Sequence, residues 1–302
     1  MALTIKGVEY RPLAKLQTQS KMREHNIICI HTAVGSLTGT EVYFKDEGYT
    51  GIESHLMTGG IWGPDLKAGL DGKMWQFVDL MYVADANFNG KWDVISIENA
   101  DNAKRPIAPF TDAQCDELIR VIDIMCTKEF HSNCPSNWLC HQFGIPRQMI
   151  PDTKPNRRGI GLHRQGVEHS LGFGIKGYLV KGGVKWSLAK GKDCPTDVRA
   201  KQVTDIIIPT VLKLGYLRAH ASDVQTPPVA EEDEDMKLVM MLPEVDADDN
   251  DPRSLWVYNP NDGTCRRIKD PFERTMLREA GAIDMVCTEA QLSKVIPAGE
   301  QP

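Results

Sequence analysis

Cys194, in the run Lys192-Asp193-Cys194-Pro195, and two histidines far upstream, His31 and His163, are the residues of this chain best suited to hold a catalytic metal. Two imidazoles and one thiolate suit zinc, and a site with three protein ligands keeps its fourth position for water, which points to chemistry rather than scaffolding. His31 closes the apolar run Ile27-Ile28-Cys29-Ile30, which reads as a buried strand, and the small residues Thr32-Ala33-Val34-Gly35 then lead into a loop. His163 follows Gly159-Ile160-Gly161-Leu162, so it too stands where an ordered segment gives way to a loop. The three residues do not form a local motif. Eight histidines allow accidental triples, and histidines merely hydrogen-bonded within the fold are the competing reading.

The elements that must position these residues read as follows. Residues 54–58, 73–78 and 93–99 are rich in aromatic or β-branched side chains and are expected to be strands, with a short helix over 38–49. Leu70-Asp71-Gly72-Lys73 supplies a hairpin turn. The clearest helix spans 111–130: Thr111 and Gln114 make a capping box, and Cys115, Leu118, Ile119, Ile122 and Met125 recur on one face. A second long helix is expected over 196–214, broken or kinked by Pro209 and ended by Gly215. Strands interleaved with helices place the first 220 or so residues in the α/β class.

At 302 residues the chain exceeds one typical domain. Its formal charge of −6 is unevenly spread: residues 1–221 carry 27 Lys and Arg against 23 Asp and Glu, a net of +4, and residues 222–302 carry 8 against 18, a net of −10. A charge of +4 without clusters falls far short of a nucleic-acid footprint, which argues against nucleic acid as a partner. The first residues lack the charged start and apolar core of a signal peptide, and no run suits a membrane span, so the expectation is a chain made in the cytosol without membrane insertion. Without a secretory signal, the eight cysteines read mostly as buried thiols rather than disulfides. The run Glu231-Glu232-Asp233-Glu234-Asp235 marks residues 222–236 as an acidic linker between a domain over 1–221 and a small α+β module over 237–302. In that module Leu255–Tyr258 and Cys265–Ile268 flank a turn and form a hairpin, and Asp270 caps a helix ending at Gly281.

Two further groups invite chemistry. Cys134, Cys140 and His141 tempt a structural-zinc reading, but lack a fourth nearby ligand at a recognised spacing. Trp62, Trp75, Trp92 and Trp186 suit a glycan-binding groove, although burial is the commoner reason for a tryptophan.

In order along the chain, several segments resemble the zinc amidases of the peptidoglycan recognition protein family and its phage lysozyme-type relatives, in particular the amidase domain of endolysins from phages of actinobacteria. They are His31-Thr32; Glu53-Ser54-His55 followed by Leu70-Asp71-Gly72-Lys73-Met74-Trp75-Gln76; Ile95-Ser96-Ile97-Glu98; Arg158-Gly159-Ile160-Gly161-Leu162-His163-Arg164; and Trp186-Ser187 with Gly191-Lys192-Asp193-Cys194-Pro195. The resemblance covers roughly residues 25–215. It implies a central mixed β-sheet flanked by helices, a zinc ion on His31, His163 and Cys194, and catalytic roles for Lys192 and Glu98. A carboxylate can take a proton from water, and an ammonium can stabilise a developing oxyanion.

The activity implied is that of an N-acetylmuramoyl-L-alanine amidase acting on bacterial peptidoglycan. The expected setting is an endolysin that waits in the host cytoplasm until a holin opens the way to the cell wall, with the C-terminal module binding the wall. Two departures matter. Many relatives carry a tyrosine where this chain has Ser54, which shifts weight onto Glu98 or Glu53 as general base, and the interval from His163 to Cys194 holds a glycine-rich insertion, read as a groove-shaping loop. His55 reads as structural more readily than as a fourth ligand, and His169 is a rival to His163. The alternative function is a binding module that recognises peptidoglycan without cutting it, but such a module needs neither Cys194 nor Lys192.

Overall fold

The structure, a computed structural model, describes residues 2–13, 20–46, 53–103 and 108–219, together with four strands between residues 239 and 287. It divides into two units, Met1–Asp223 and Val224–Pro302. In the first, the strands are β1 (Glu9–Tyr10), β2 (Ile27–Ile30), β3 (Leu56–Thr58), β4 (Met74–Gln76), β5 (Val94–Asn99) and β6 (Gly159–Leu162). The helices are α1 (Leu37–Lys45), α2 (Pro64–Ala68), α3 (Asp112–Met125), α4 (Leu139–Phe143), α5 (Asp197–Gln202) and α6 (Ile208–Ala219). The six strands form one mixed sheet in the order β1-β4-β3-β5-β2-β6. Only β3 and β4 are antiparallel neighbours.

Alternation along the strands decides what each sheet face carries. Ile28 and Ile30 of β2, Ile95 and Ile97 of β5, and Ile160 and Leu162 of β6 enter the main core, where Leu118, Val121, Ile122 and Met125 of α3 meet them. Burying each such side chain contributes about 1.5–3 kcal/mol. The other face takes Ile27 and Cys29 of β2 and Val94 of β5, packed against Ile150 and Trp186. The capping box forms as expected, Thr111 Oγ1 accepting from Gln114 N–H and the Gln114 side chain from Thr111 N–H, but α3 stops at Met125, short of the anticipated end.

The helix expected to end at Gly215 runs on to Ala219. A π-helical turn over Val203–Ile207, in which Ile208 N–H donates to Val203 O, joins α5 to α6 just ahead of Pro209, and the helix continues past the proline. Gly215 lies inside α6 because Arg147 packs on it: a Cβ there would sit 2.5 Å from Arg147 Cδ. Arg147 in turn pairs with Asp123 of α3 at 2.9 Å.

Among the described residues no helix is long and apolar enough to cross a membrane. Cys29, Cys115, Cys126, Cys134, Cys140 and Cys194 are all free, buried thiols. In the second unit β7 (Val239–Pro243), β8 (Leu255–Tyr258), β9 (Cys265–Ile268) and β10 (Ile283–Cys287) form a sheet in the order β10-β7-β8-β9. The β8–β9 pair is the antiparallel hairpin read from the sequence. The acidic linker and the helix after Asp270 lie outside the described residues.

Candidate metal centre and catalytic cavity

Three neighbouring parallel strands, β5, β2 and β6, end at one edge of the sheet, the edge where open α/β sheets bind their ligands. The register pairs Ile30 of β2 with Ile97 of β5 and with Leu162 of β6. One residue further, the same register sets His31 between Glu98 and His163, all turned away from the isoleucine face. The His31 and His163 rings stack with centroids 4.2 Å apart, and His31 Nδ1 lies 3.4 Å from Glu98 Oε1.

Cys194 arrives from the other end of the chain. Its Sγ accepts a hydrogen bond from Thr32 N–H at 3.2 Å, just past His31. Arg164 secures the segment: its backbone N–H donates to Cys194 O at 2.6 Å, and its guanidinium bonds Pro195 O and pairs with Asp197 at 2.5 Å. Candidate ligand atoms of His31, His163 and Cys194 all lie within 4.8 Å of one another, and all three residues are buried.

The residues present fit a metal. His163 Nε2 donates to Trp186 O at 3.1 Å, so its Nδ1 carries the lone pair, and that Nδ1 is a buried atom without a hydrogen-bond partner. His31 Nε2 donates to Asn87 Oδ1 at 3.2 Å, and the Asn87 amide is held the right way round by donating to Cys29 Sγ at 3.2 Å. Such outer contacts fix the tautomer of a ligating imidazole. Burial, then the ammonium of Lys192, push His163 down to about 4, and burial, then the adjoining His163 ring and Lys192, hold His31 well below the usual imidazole range, so both rings are neutral at pH 7. Burial pushes the Cys194 thiol up to about 12. A divalent cation is the group that would turn that thiol into a ligand, because a coordinating thiol loses its proton.

The centre opens into a cavity of about 410 Å³ whose lining includes His31, His163, Glu98, Lys192, Phe88 and Trp186. Burial outweighs the opposing pull of Lys192 and raises the Glu98 carboxyl to about 7. Phe88 holds a strained backbone (φ +44°) beside Asn87. Trp186, Ser187, Leu188, Ala189 and Lys192 form part of the wall, whereas Gly172, Gly174, Gly177, Gly182 and Gly183 of the insertion, expected to shape the groove, do not line it.

Other sequence candidates fall elsewhere. Glu53 is fully buried and does not line this cavity, and the Ser54 hydroxyl donates to Leu56 O at 2.8 Å. His55 is structural, its ring nitrogens 3.1 Å from Ser96 Oγ and 2.9 Å from Tyr82 O. His169 stands apart, accepting from Leu171 N–H and meeting Tyr178 edge-on at 4.6 Å. Trp75 and Trp186 are buried, and Trp62 is exposed. Trp186, a groove candidate in the sequence, also holds His163 through its carbonyl, whereas Asn87 and the buried Arg199 carry no site signal in the sequence. Arg199 donates to the carbonyls of Asn99, Ala100 and Ala108 behind the end of β5.

No protein-family model and no curated protein matches this sequence. Among solved structures, the endolysin N-acetylmuramoyl-L-alanine amidase LysCS from Clostridium intestinale URNW aligns at 11% identity over 70% of this chain and 98% of its own, with a TM-score of 0.37. The hydrolase AmiA of Staphylococcus aureus aligns at 13% identity over 70% of this chain and 87% of its own, with a TM-score of 0.39. PlyL aligns at 13% identity over 68% of this chain and 96% of its own, also at 0.39.

Proposed function

We propose that the protein is a zinc-dependent N-acetylmuramoyl-L-alanine amidase that cuts the amide between the lactyl group of muramic acid and the first alanine of the stem peptide. The observation that carries this reading is the convergence of Glu98, His31 and His163, side by side from three strand ends, with Lys192 on the wall of the same cavity and Cys194 buried against the two histidines. The ordered motifs that resemble zinc amidases fall on these same residues.

His31, His163 and Cys194 would hold the zinc, which supplies Lewis-acid polarisation of a carbonyl and acidification of water. Glu98 is the proton acceptor: its carboxyl, raised to about 7, is poised to take a proton near neutral pH and pass it to the leaving amine. Lys192 offers an ammonium on the cavity wall for the developing oxyanion. Asn87 and Trp186 O orient the two imidazoles. The exposed Leu188 and the partly exposed Phe88 give the wall apolar surface against which a substrate can lie.

The biological setting we assign is that of an endolysin, held in the host cytoplasm until a holin admits it to the wall, with the second unit serving in wall attachment. Removing residues 236–302 should weaken sedimentation with intact walls while sparing cleavage of soluble fragments, and unchanged sedimentation would reject that role.

The decisive test incubates the purified protein with actinobacterial cell walls, with and without a chelator, and measures new alanine amino termini and new sugar reducing ends separately. Chelator-sensitive amino termini without reducing ends are expected. Wall binding with neither product would make the protein a peptidoglycan recognition module, and reducing ends would mean a different bond is cut.

A further inference from the structure

A second group of metal-ligating side chains lies away from the catalytic cavity. His25, just ahead of β2, meets His131, Cys134 and Cys140 from the segment that leads into and through α4. One ligand atom from each lies within 4.8 Å of every other, and all four residues are buried. His141, the histidine adjacent to Cys140 in sequence, is not part of the group. Its Nδ1 instead lies 3.1 Å from His131 O.

The hydrogen bonds show what the group lacks. His25 Nε2 lies 2.6 Å from Leu80 O, and His131 Nε2 lies 2.7 Å from Met125 O. A carbonyl only accepts, so each Nε2 carries the ring proton and each Nδ1 is left with a lone pair. Those two Nδ1 atoms face one another at 3.2 Å. Two lone pairs at that distance repel unless a cation sits against both. The Cys134 Sγ is 3.7 Å from each of them.

We infer that His25, His131, Cys134 and Cys140 form a structural zinc site, distinct from the catalytic centre and independent of the function proposed above. The dimensions agree. Bonds of about 2.0–2.1 Å to nitrogen and about 2.3 Å to sulfur around a tetrahedral zinc put the nitrogens about 3.3 Å apart and each sulfur about 3.6 Å from a nitrogen. The two nitrogens are 3.2 Å apart and Cys134 Sγ is 3.7 Å from each, with the Cys140 ligand atom within 4.8 Å of all three. Two thiolates and two neutral imidazoles make a closed four-ligand set, which leaves no position for water and suits a scaffold rather than a reaction. The carbonyls of Leu80 and Met125 are the outer partners that orient the rings. Trp138, edge-on to His25 at 5.1 Å, and Phe130, edge-on to His131 at 5.0 Å, supply an apolar surround. Held in this way, the segment carrying Cys134 and Cys140 is fixed to the start of the strand that delivers His31.

The test counts metal in the full chain, purified in reductant and dialysed first against zinc and then against zinc-free buffer. Elemental analysis should find two zinc ions per chain in the natural protein and one in the triple variant His31→Ala/His163→Ala/Cys194→Ala, which leaves all four proposed ligands intact. Adding Cys134→Ser to that variant should take the count to zero. Cobalt loaded into the triple variant should give the intense visible absorption of a tetrahedral ion with a thiolate-to-cobalt band, and Cys140→Ser should about halve that band. A folded triple variant, shown by circular dichroism, that takes up neither zinc nor cobalt would overturn the proposal, and a proton shared by the two Nδ1 atoms would then be what relieves them. If the serine variants fail to fold, the triple variant decides alone. Failure of the catalytic site would show differently, as one zinc in the natural protein that survives in the triple variant.

Discussion

His163 reaches 3.1 Å from the carbonyl oxygen of Trp186, and that contact leaves its other ring nitrogen buried and without a partner, aimed at His31 and Cys194. The tryptophan that sets this arrangement is itself seated in a slot cut by glycines. A Cβ on Gly166 would lie 2.2 Å from Trp186 Cγ, and one on Gly90 would lie 2.3 Å from its Nε1.

Gly166→Ala should therefore act on the metal centre from a distance. The methyl group must displace Trp186, costing about 1–3 kcal/mol of stability as an overpacked core does. His163 would then lose the acceptor that holds its tautomer. Thermal melting and zinc content after dialysis measure the two effects, and a variant that melts earlier but keeps its full zinc would separate the slot from the site.

Glu98→Gln should keep the metal and lose rate. The amide preserves shape but cannot accept a proton, and losing a positioned general base lowers kcat by about 10²–10⁴-fold. Zinc content and the rate of alanine amino-terminus release, measured on the same preparation, check the prediction. Full activity would remove Glu98 from the mechanism.

Glu98 also predicts a pH dependence of stability in protein stripped of metal by a chelator. Its side chain is 15% exposed, and burial raises the carboxyl from 4.5 to about 7. Because the folded value exceeds the unfolded one, the folded state binds the proton more tightly. The stability it contributes is full below the unfolded value and lost as pH rises through about 7. Relative to Glu98→Gln, the chelated natural protein should lose up to about 3 kcal/mol over that window, read from denaturant melts at several pH values. Parallel curves for the two proteins would refute it.

Arg199→Met should destabilise the edge of the sheet that carries the site. The guanidinium is fully buried and holds three carbonyls around the end of β5, and burial lowers it only to about 10, so it stays charged. Removing it takes a charged donor from all three carbonyls, although Asn99 O keeps the Ala33 N–H and Ala100 O keeps the Gln114 side-chain amide, at a cost of about 1.5–3 kcal/mol. Because β5 delivers Glu98, kcat should fall along with the melting temperature.

Local pattern was enough to find the strand ends. The apolar run before His31 and the alternation of Ile95-Ser96-Ile97-Glu98 announce strands whose last residues face away from the core, and the residues themselves carry that information. The capping box of Thr111 and Gln114 was legible for the same reason, since its partners are three residues apart. The α5–α6 run was misread because proline and glycine were weighed by local propensity. A π-helical turn and the close approach of Arg147, both products of packing, decide it instead.

What only the tertiary structure decided is which residues meet. The parallel register of β5, β2 and β6 aligns Glu98, His31 and His163 across segments that are far apart in the chain, and no periodicity within one segment encodes that alignment. The second cluster makes the same point. Cys134 and Cys140 drew notice with their sequence neighbour His141, whereas folding supplies His25, 106 residues away from its partner His131. Residue type and short-range spacing express local backbone preference and can be read along the chain. A ligand set is a statement about distances in space, and those follow from strand pairing and the packing of distant side chains.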